Sequence, residues 1–276
     1  MKQNLHTHST YSDGKDTLRE LVESALGQGF DSLGFSCHCH TGFAFDECGI
    51  ATKEKEAEYI DEIKSLKEEY RGRIALYCGL ELESRNACSS EPQYDSRLDY
   101  TIGSVHWFWK DGRHFTVDNT PEEFLEAAEY FGGFRPLIES YYGEVMRFAS
   151  FSPYTITGHL DLVTKFVEKK GWEFENSTWY RDISSSAAEY VVKRGKAVEV
   201  NTGAISRGWR TSSYPSTFIL ERLRDLNAPI VLTSDCHDRL FLSCNFQREK
   251  EILSSLGFKE LMYLEDGILK GERIEL

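Results

Sequence analysis

Six of the chain's eight histidines, His6, His8, His38, His106, His159 and His237, fall where short apolar runs give way to loops, and so do Asp13, Glu81 and Asp235. The segments read LHTHSTYSDG, FSCHCH, CGLELE, GSVHW, TGHLD and TSDCHD. Histidine and carboxylate are the side chains that divalent metals take as ligands in catalytic sites. A lone His-x-His is a weak signal, and one buried histidine is ordinarily a hydrogen-bonded core residue. Six at equivalent strand ends, with acids among them, would leave costly unpaired polar groups unless cations sat between them. The pattern therefore predicts a polynuclear metal site at the mouth of a barrel.

Cysteine offers a rival set of ligands. Cys37 and Cys39 flank His38, and Cys236 separates Asp235 from His237. Side chains alternate faces along a strand, which turns those thiols away from the metal face. The seven cysteines are scattered without C-x-x-C pairs, so the expectation is a reduced, cytoplasmic protein with free thiols. MKQNLHTHST carries no apolar signal region, and no uninterrupted apolar run is long enough to span a membrane. A formal net charge of -13 excludes nucleic-acid binding driven by a basic surface.

These residues need a scaffold that brings strand ends together. Apolar runs at 4–8, 32–39, 74–83, 100–107, 154–162, 196–202 and 229–235 read as seven strands. Between them lie helical patterns. Asp16 or Thr17 caps TLRELVESALGQG, where Leu18, Leu21, Val22, Ala25 and Leu26 recur at helical spacing. Lys53 to Tyr70 is an amphipathic helix whose Ile60, Ile63 and Leu66 stripe is core packing. Thr120 and Glu123 resemble a capping box, 121–151 is mainly helix, and Pro215 opens another helix. The tail resembles a hairpin around Asp266-Gly267. Alternating strand and helix imply a parallel sheet with helices outside. The 276 residues suit one barrel domain, 1–276, with its chemistry at the C-terminal ends of the strands. An open doubly wound sheet is the alternative, but its ligands would gather at one switch point.

The blocks H-x-H-S-x-x-S-D-G, G-x-E, G-S-V-H, G-H-L-D and S-D-x-H occur here in one order over nearly the whole chain. In this the sequence resembles the polymerase and histidinol phosphatase (PHP) family of metal-dependent phosphoesterases. The resemblance implies a distorted TIM-like (β/α)7 barrel and three divalent ions, zinc, iron or manganese, on nine ligands. His6, His8, Glu81 and Asp235 would hold the first, and Glu81, His106 and His159 the second. Asp13, His38 and His237 would hold the third. Where relatives often carry an acid before the second-block histidine, this chain has Cys37. His38 is favoured as the ligand over His40, which becomes a substrate-side group, and Glu81 over Glu83.

The resemblance also implies a phosphomonoesterase using attack by a metal-bridging hydroxide. His40, Asp161 or a metal-bound water would protonate the leaving alkoxide. G-H-L-D-L-V-T-K165-F166, E-V-N201-T-G, Arg207 and Y-P215-S resemble the histidinol-phosphatase branch, which makes histidinol phosphate the expected substrate. Lys165 and Arg207 are candidate phosphate anchors, and either is otherwise an ordinary loop cation. Asn201 either reaches the substrate or caps the next turn. Phe43, Phe45, Trp107, Phe108 and Trp109 could wall the pocket, while His114 reads as a surface residue. The alternatives are a PHP enzyme acting on nucleotides, phosphotyrosine or another small phosphate ester, an amidohydrolase-type barrel, and a non-catalytic metal-binding module. The amidohydrolase type needs a bridging lysine at an early strand end, which is absent. A module that had lost catalysis should have lost ligands, and all nine are present.

Overall fold

Strand and helix alternate along the chain as the apolar pattern requires. The computed structural model describes residues 1–85 and 95–275. It runs β1 (Gln3–Asn4), α1 (Leu18–Gly27), β2 (Ser32–Phe35), α2 (Lys53–Glu69), β3 (Ala75–Glu83) and β4 (Tyr100–Ser104). A hairpin, β5 (Trp107–Lys110) and β6 (Arg113–Thr116), follows, then α3 (Pro121–Phe131), α4 (Phe134–Phe151) and β7 (Ile156–Thr157). Next come α5 (Val167–Lys170), α6 (Thr178–Lys193), β8 (Ala197–Asn201), α7 (Gly203–Ser206) and α8 (Thr217–Asp225). The chain continues with β9 (Ile230–Thr233), α9 (Phe246–Leu256), β10 (Glu260–Glu265) and β11 (Ile268–Arg273).

Seven strands form one parallel sheet in the order β1-β2-β3-β4-β7-β8-β9. Beyond the regular ends of β1 and β9, a parallel bridge joins Thr7 to Cys236. The His8 amide donates to the Cys236 carbonyl at 2.8 Å, and the Cys236 amide donates to the His6 carbonyl at 3.0 Å. That seam curls the sheet into a nearly closed barrel, the (β/α)7 architecture expected, and removes the open-sheet alternative.

Leu5, Tyr100, Ile102, Ile156, Ala197, Val231 and Leu264 make a separate apolar cluster drawn mostly from the beginnings of strands. The Gln3 side chain clasps the Leu264 backbone, donating to its carbonyl at 2.9 Å and accepting from its amide at 2.8 Å. The β10–β11 hairpin thus fills one end of the barrel with hydrocarbon, and polar chemistry is confined to the other. A larger core lies between sheet and helices, with Leu18, Leu21, Val22, Ile63 and Phe148 all buried in it.

Several local expectations shift by a turn. Thr17, not Asp16, caps α1, with Glu20 completing the capping box; Asp16 instead accepts from the Arg239 amide at 2.7 Å. At α3 the box is half made. Thr120 caps the Glu123 amide, but the Glu123 carboxylate turns to Thr116 and Asn119. Pro215 lies before the α8 cap and is cis. The Ser216 amide and hydroxyl are both held by Asp161, at 2.8 and 2.7 Å, so α8 begins at Thr217. The expected strand to Trp107 breaks after Ser104 and restarts as the hairpin. Its tip is Asp111-Gly112, both at positive φ (51° and 78°), the geometry of a two-residue turn.

Candidate metal centre

The nine candidate ligands converge on one end of the barrel. β1 leads into His6 and His8, β2 into His38, β4 into His106, β7 into His159 and β9 into Asp235 and His237, while β3 carries Glu81 itself. Asp13 comes from the loop after β1. A methyl group at Gly14 would meet the His8 carbonyl carbon and oxygen at 2.5 Å. The Asp13 loop can lie flat on His8 because residue 14 has no side chain. Asp235 sits at φ 48°, a left-handed backbone that non-glycine residues adopt infrequently, Asp and Asn more often than most.

Glu81 is 1% exposed and stands at the centre. Its Oε2 lies 3.2 Å from His6 Nε2, 3.5 Å from His8 Nε2 and 3.0 Å from His38 Nδ1. Its Oε1 lies 3.0 Å from His159 Nε2 and 3.6 Å from His106 Nε2. Asp235 Oδ1 is 3.3 Å from His8 Nε2 and 3.7 Å from His6 Nε2. Asp13 reaches His237 at 3.2 Å, His8 at 3.5 Å and His38 at 3.8 Å. Three groups have donor atoms within 4.8 Å of one another: His8, Asp13, His38 and His237; His6, His8 and Glu81; and His38, Glu81 and His106. The partition differs from the expected one at four residues, since Asp235 and His159 fall in none of these groups and two others are shared. His8 also belongs with Asp13 and His237, and His38 also belongs with Glu81 and His106. No cysteine joins these groups among the described residues. Cys37 Sγ bonds Ser9, and Cys236 Sγ donates to the Asp238 carbonyl. The six described cysteines are free thiols; Cys88 lies outside the described residues.

The donor set fits divalent ions. His6 Nε2, both ring nitrogens of His8 and Glu81 Oε2 are buried without a hydrogen-bond partner, an arrangement that costs on the order of 1–3 kcal/mol per group unless something binds them. Four ligands about 2.1 Å from an ion stand about 3.4 Å apart, and the separations above bracket that spacing. The electrostatics agree. Burial opposes charge on Glu81, but His6, His38 and His106 outweigh it and hold its pKa well below the usual carboxylate range. Burial, then the neighbouring His237 and His38, lowers His8 to about 3, which keeps it in the neutral form that ligates.

A second layer fixes the rings. β8 supplies none of the nine ligands, yet it carries Glu199, which is fully buried. Glu199 Oε1 pairs with His6 Nδ1 at 2.5 Å and accepts from Thr233 Oγ1 at 2.6 Å. Its Oε2 accepts from the His159 amide at 2.7 Å and from Asn201 Nδ2 at 2.9 Å. One carboxylate thereby orients groups on four strands. Glu83 does the same for His106, with Oε1 2.5 Å from Nδ1. Burial pushes Glu83 up to about 7, and Glu81 and Glu83 outweigh burial to lift His106 to about 10. With Nδ1 against Glu83, the His106 ring turns its Nε2 toward Glu81. Glu199→Gln is expected to weaken metal binding about 10- to 100-fold, measured by competition with a chromogenic chelator. Unchanged affinity would make Glu199 a packing residue.

The remaining candidates divide. Lys165 and Arg207 both line a cavity of about 380 Å³ together with Asp13, His38, His106, His159, Asp235 and His237. Lys165 Nζ donates to the Asp118 carbonyl at 2.6 Å and lies 3.2 Å from its carboxylate. Arg207 Nη2 donates to Asp235 Oδ2 at 2.8 Å. Asn201 is buried, donating to Glu199 and accepting from the Gly203 amide. It thus caps the turn after β8 and braces Glu199 instead of facing the cavity. His40 and Asp161 do not line the cavity either. The His40 ring pairs with the Ile50 carbonyl at 2.9 Å. Asp161 is buried against Ser216, with Arg210 close enough to oppose the upward push of burial on its pKa. Phe45 and Trp107 line the cavity as expected. Phe43 stacks behind Phe45, Phe108 is core, and His114, although exposed, lies flat on Phe45 with ring centroids 3.7 Å apart. Sequence reasoning missed Glu199 and Asp118.

A nearly closed seven-strand barrel rimmed by histidines and acids defines a metal-centred barrel class, and the PHP domain profile matches residues 4–203 of this chain. The chain belongs to the PHP domain family. Among its relatives, the histidinol-phosphatase of Bacillus subtilis is 27% identical over 86% of this chain and 93% of its own length. A crystal structure from Listeria monocytogenes superposes with a TM-score of 0.80 at 21% identity, covering 90% of this chain and 99% of that one. Histidinol phosphate phosphatase from Lactococcus lactis, crystallised with zinc, L-histidinol and phosphate, superposes with a TM-score of 0.73 at 20% identity and 98% coverage of both chains. Among the described residues, no helix is long and apolar enough to cross a membrane.

Proposed function

We propose that this protein is a metal-dependent phosphomonoesterase that converts L-histidinol phosphate and water to L-histidinol and phosphate. The observation that carries the reading is one cavity lined both by candidate metal ligands and by Lys165 and Arg207. His6, His8, Glu81 and Asp235, then Glu81, His106 and His159, then Asp13, His38 and His237 would hold three divalent ions, with His8 and His38 near enough to be shared. When bound, such ions acidify water for in-line attack on phosphorus and neutralise phosphoryl charge. Glu81 fixes the distance between neighbouring positions, and Glu199 and Glu83 keep the imidazoles in register. Lys165 and Arg207 face the phosphoryl oxygens, where fixed cations stabilise charge that builds in the transition state. With His40 and Asp161 bonded away from the cavity, the leaving alkoxide takes its proton from water. The names of the Bacillus and Lactococcus relatives support the choice of substrate.

The test is phosphate release from L-histidinol phosphate, nucleoside monophosphates and phosphotyrosine in parallel, on protein of measured metal content. A preference for nucleotides would displace histidinol phosphate. Lys165→Met should lower kcat/KM for the preferred ester by about 10- to 100-fold, as expected for loss of a charge-assisted contact, with metal content unchanged. Loss of metal in that variant would place Lys165 in the scaffold instead.

A further inference from the structure

The cavity brings candidate metal ligands, Lys165 and Arg207 together with residues 45–48, from the loop after β2. That loop is braced. Asp46 accepts from Thr41 Oγ1 at 2.5 Å and from the Gly49 amide at 3.1 Å. Phe45 is covered on one face by Phe43, ring centroids 5.2 Å apart, and on the other by His114. These ring contacts tie Phe45 to its surroundings and stiffen the loop.

Six carboxylates line the cavity: Asp13, Asp46, Glu47, Glu83, Asp118 and Asp235. Five are committed, Asp13 to His237, Asp46 to Thr41, Glu83 to His106, Asp118 to Lys165 and Asp235 to Arg207. Glu47 is exposed, and among the described residues it makes no hydrogen bond or ion pair. An ester whose phosphate sits among the candidate metal ligands, Lys165 and Arg207 has its alcohol portion against the rest of the lining, of which this loop is part.

We propose that Glu47 recognises a positively charged leaving group, selecting phosphomonoesters of cationic amino alcohols over neutral or further anionic ones. This rests on the phosphomonoesterase reading above. A substrate ammonium or imidazolium N–H donates to the Glu47 carboxylate, while anionic extensions meet an acid at the mouth. The braced loop presents that carboxylate with little ordering left to do on binding.

The experiment compares kcat/KM for L-histidinol phosphate with that for p-nitrophenyl phosphate, whose leaving group carries no cation, in wild type and Glu47→Gln. The ratio of cationic to neutral ester is expected to fall about five- to tenfold in the variant, the scale of a lost charged hydrogen bond at a partly exposed site. The change should lie mainly in KM for the cationic ester, with Glu47→Asp retaining part of the preference. An unchanged ratio, or equal loss on both esters, overturns the assignment and leaves the phosphatase reading standing. A wild type that prefers the neutral ester also overturns it. A wild type that hydrolyses neither ester removes the phosphatase reading, and the role of Glu47 falls with it.

Discussion

Exchanging Glu81 for glutamine is expected to cut phosphate release at least about a thousandfold, the scale on which metal-assisted hydrolysis depends on its bridging charge. Five imidazoles lie within 3.6 Å of this one carboxylate, three at Oε2 and two at Oε1. An amide offers one neutral oxygen where the acid offers two charged ones, so neighbouring ions would lose the ligand that Glu81 is proposed to share between them. Elemental analysis of the variant should find less metal per chain, and circular dichroism should find the barrel intact. A Glu81→Gln protein with full metal and a tenth of wild-type activity would remove Glu81 from its central role.

Stripping the protein with a strong chelator should abolish activity and lower its melting temperature by on the order of 10 °C for each ion lost. Ions at a thousand times their dissociation constant stabilise the folded state by about 4 kcal/mol per site, and a domain of this size gains about 2–4 °C per kcal/mol. Without ions, the unpartnered atoms of His6, His8 and Glu81 remain buried at a cost. Zinc or manganese should restore both properties together, followed by scanning calorimetry and phosphate release on the same samples. A melting temperature indifferent to chelation and readdition would show that these side chains bind nothing with useful affinity.

The candidate ligand set was legible because most of its members follow apolar runs, and in a parallel barrel the ends of those runs meet. Finer assignments failed where a strand rule was carried past the end of a strand. His6 with His8, and Asp235 with His237, keep the two-residue relation because Thr7 and Cys236, between them, are bridged to each other. His40 was placed beside His38 by the same rule, but β2 ends at Phe35 and the chain turns His40 toward Ile50. Asp161, a proton-donor candidate like His40, lies beyond the end of β7 at Thr157 and is held by Ser216. Glu199 left no motif. It is one acid among valines, and only the approach of β1, β7 and β9 to β8 gives it four partners. The Asp111-Gly112 turn carries the same dipeptide signal as Asp266-Gly267, and K-D-G-R-H-F reads as turn-like in the sequence.

The Thr7–Cys236 seam has a consequence for biosynthesis. It ties the opening residues to a segment more than two hundred positions downstream, and the ligands on either side of it become neighbours only when it forms. A nascent chain emerging from the ribosome therefore exposes His6 and His8 long before Asp235 and His237 exist to complete their surroundings. A site that draws on both sides of the seam can therefore be completed only after the last barrel strand has docked.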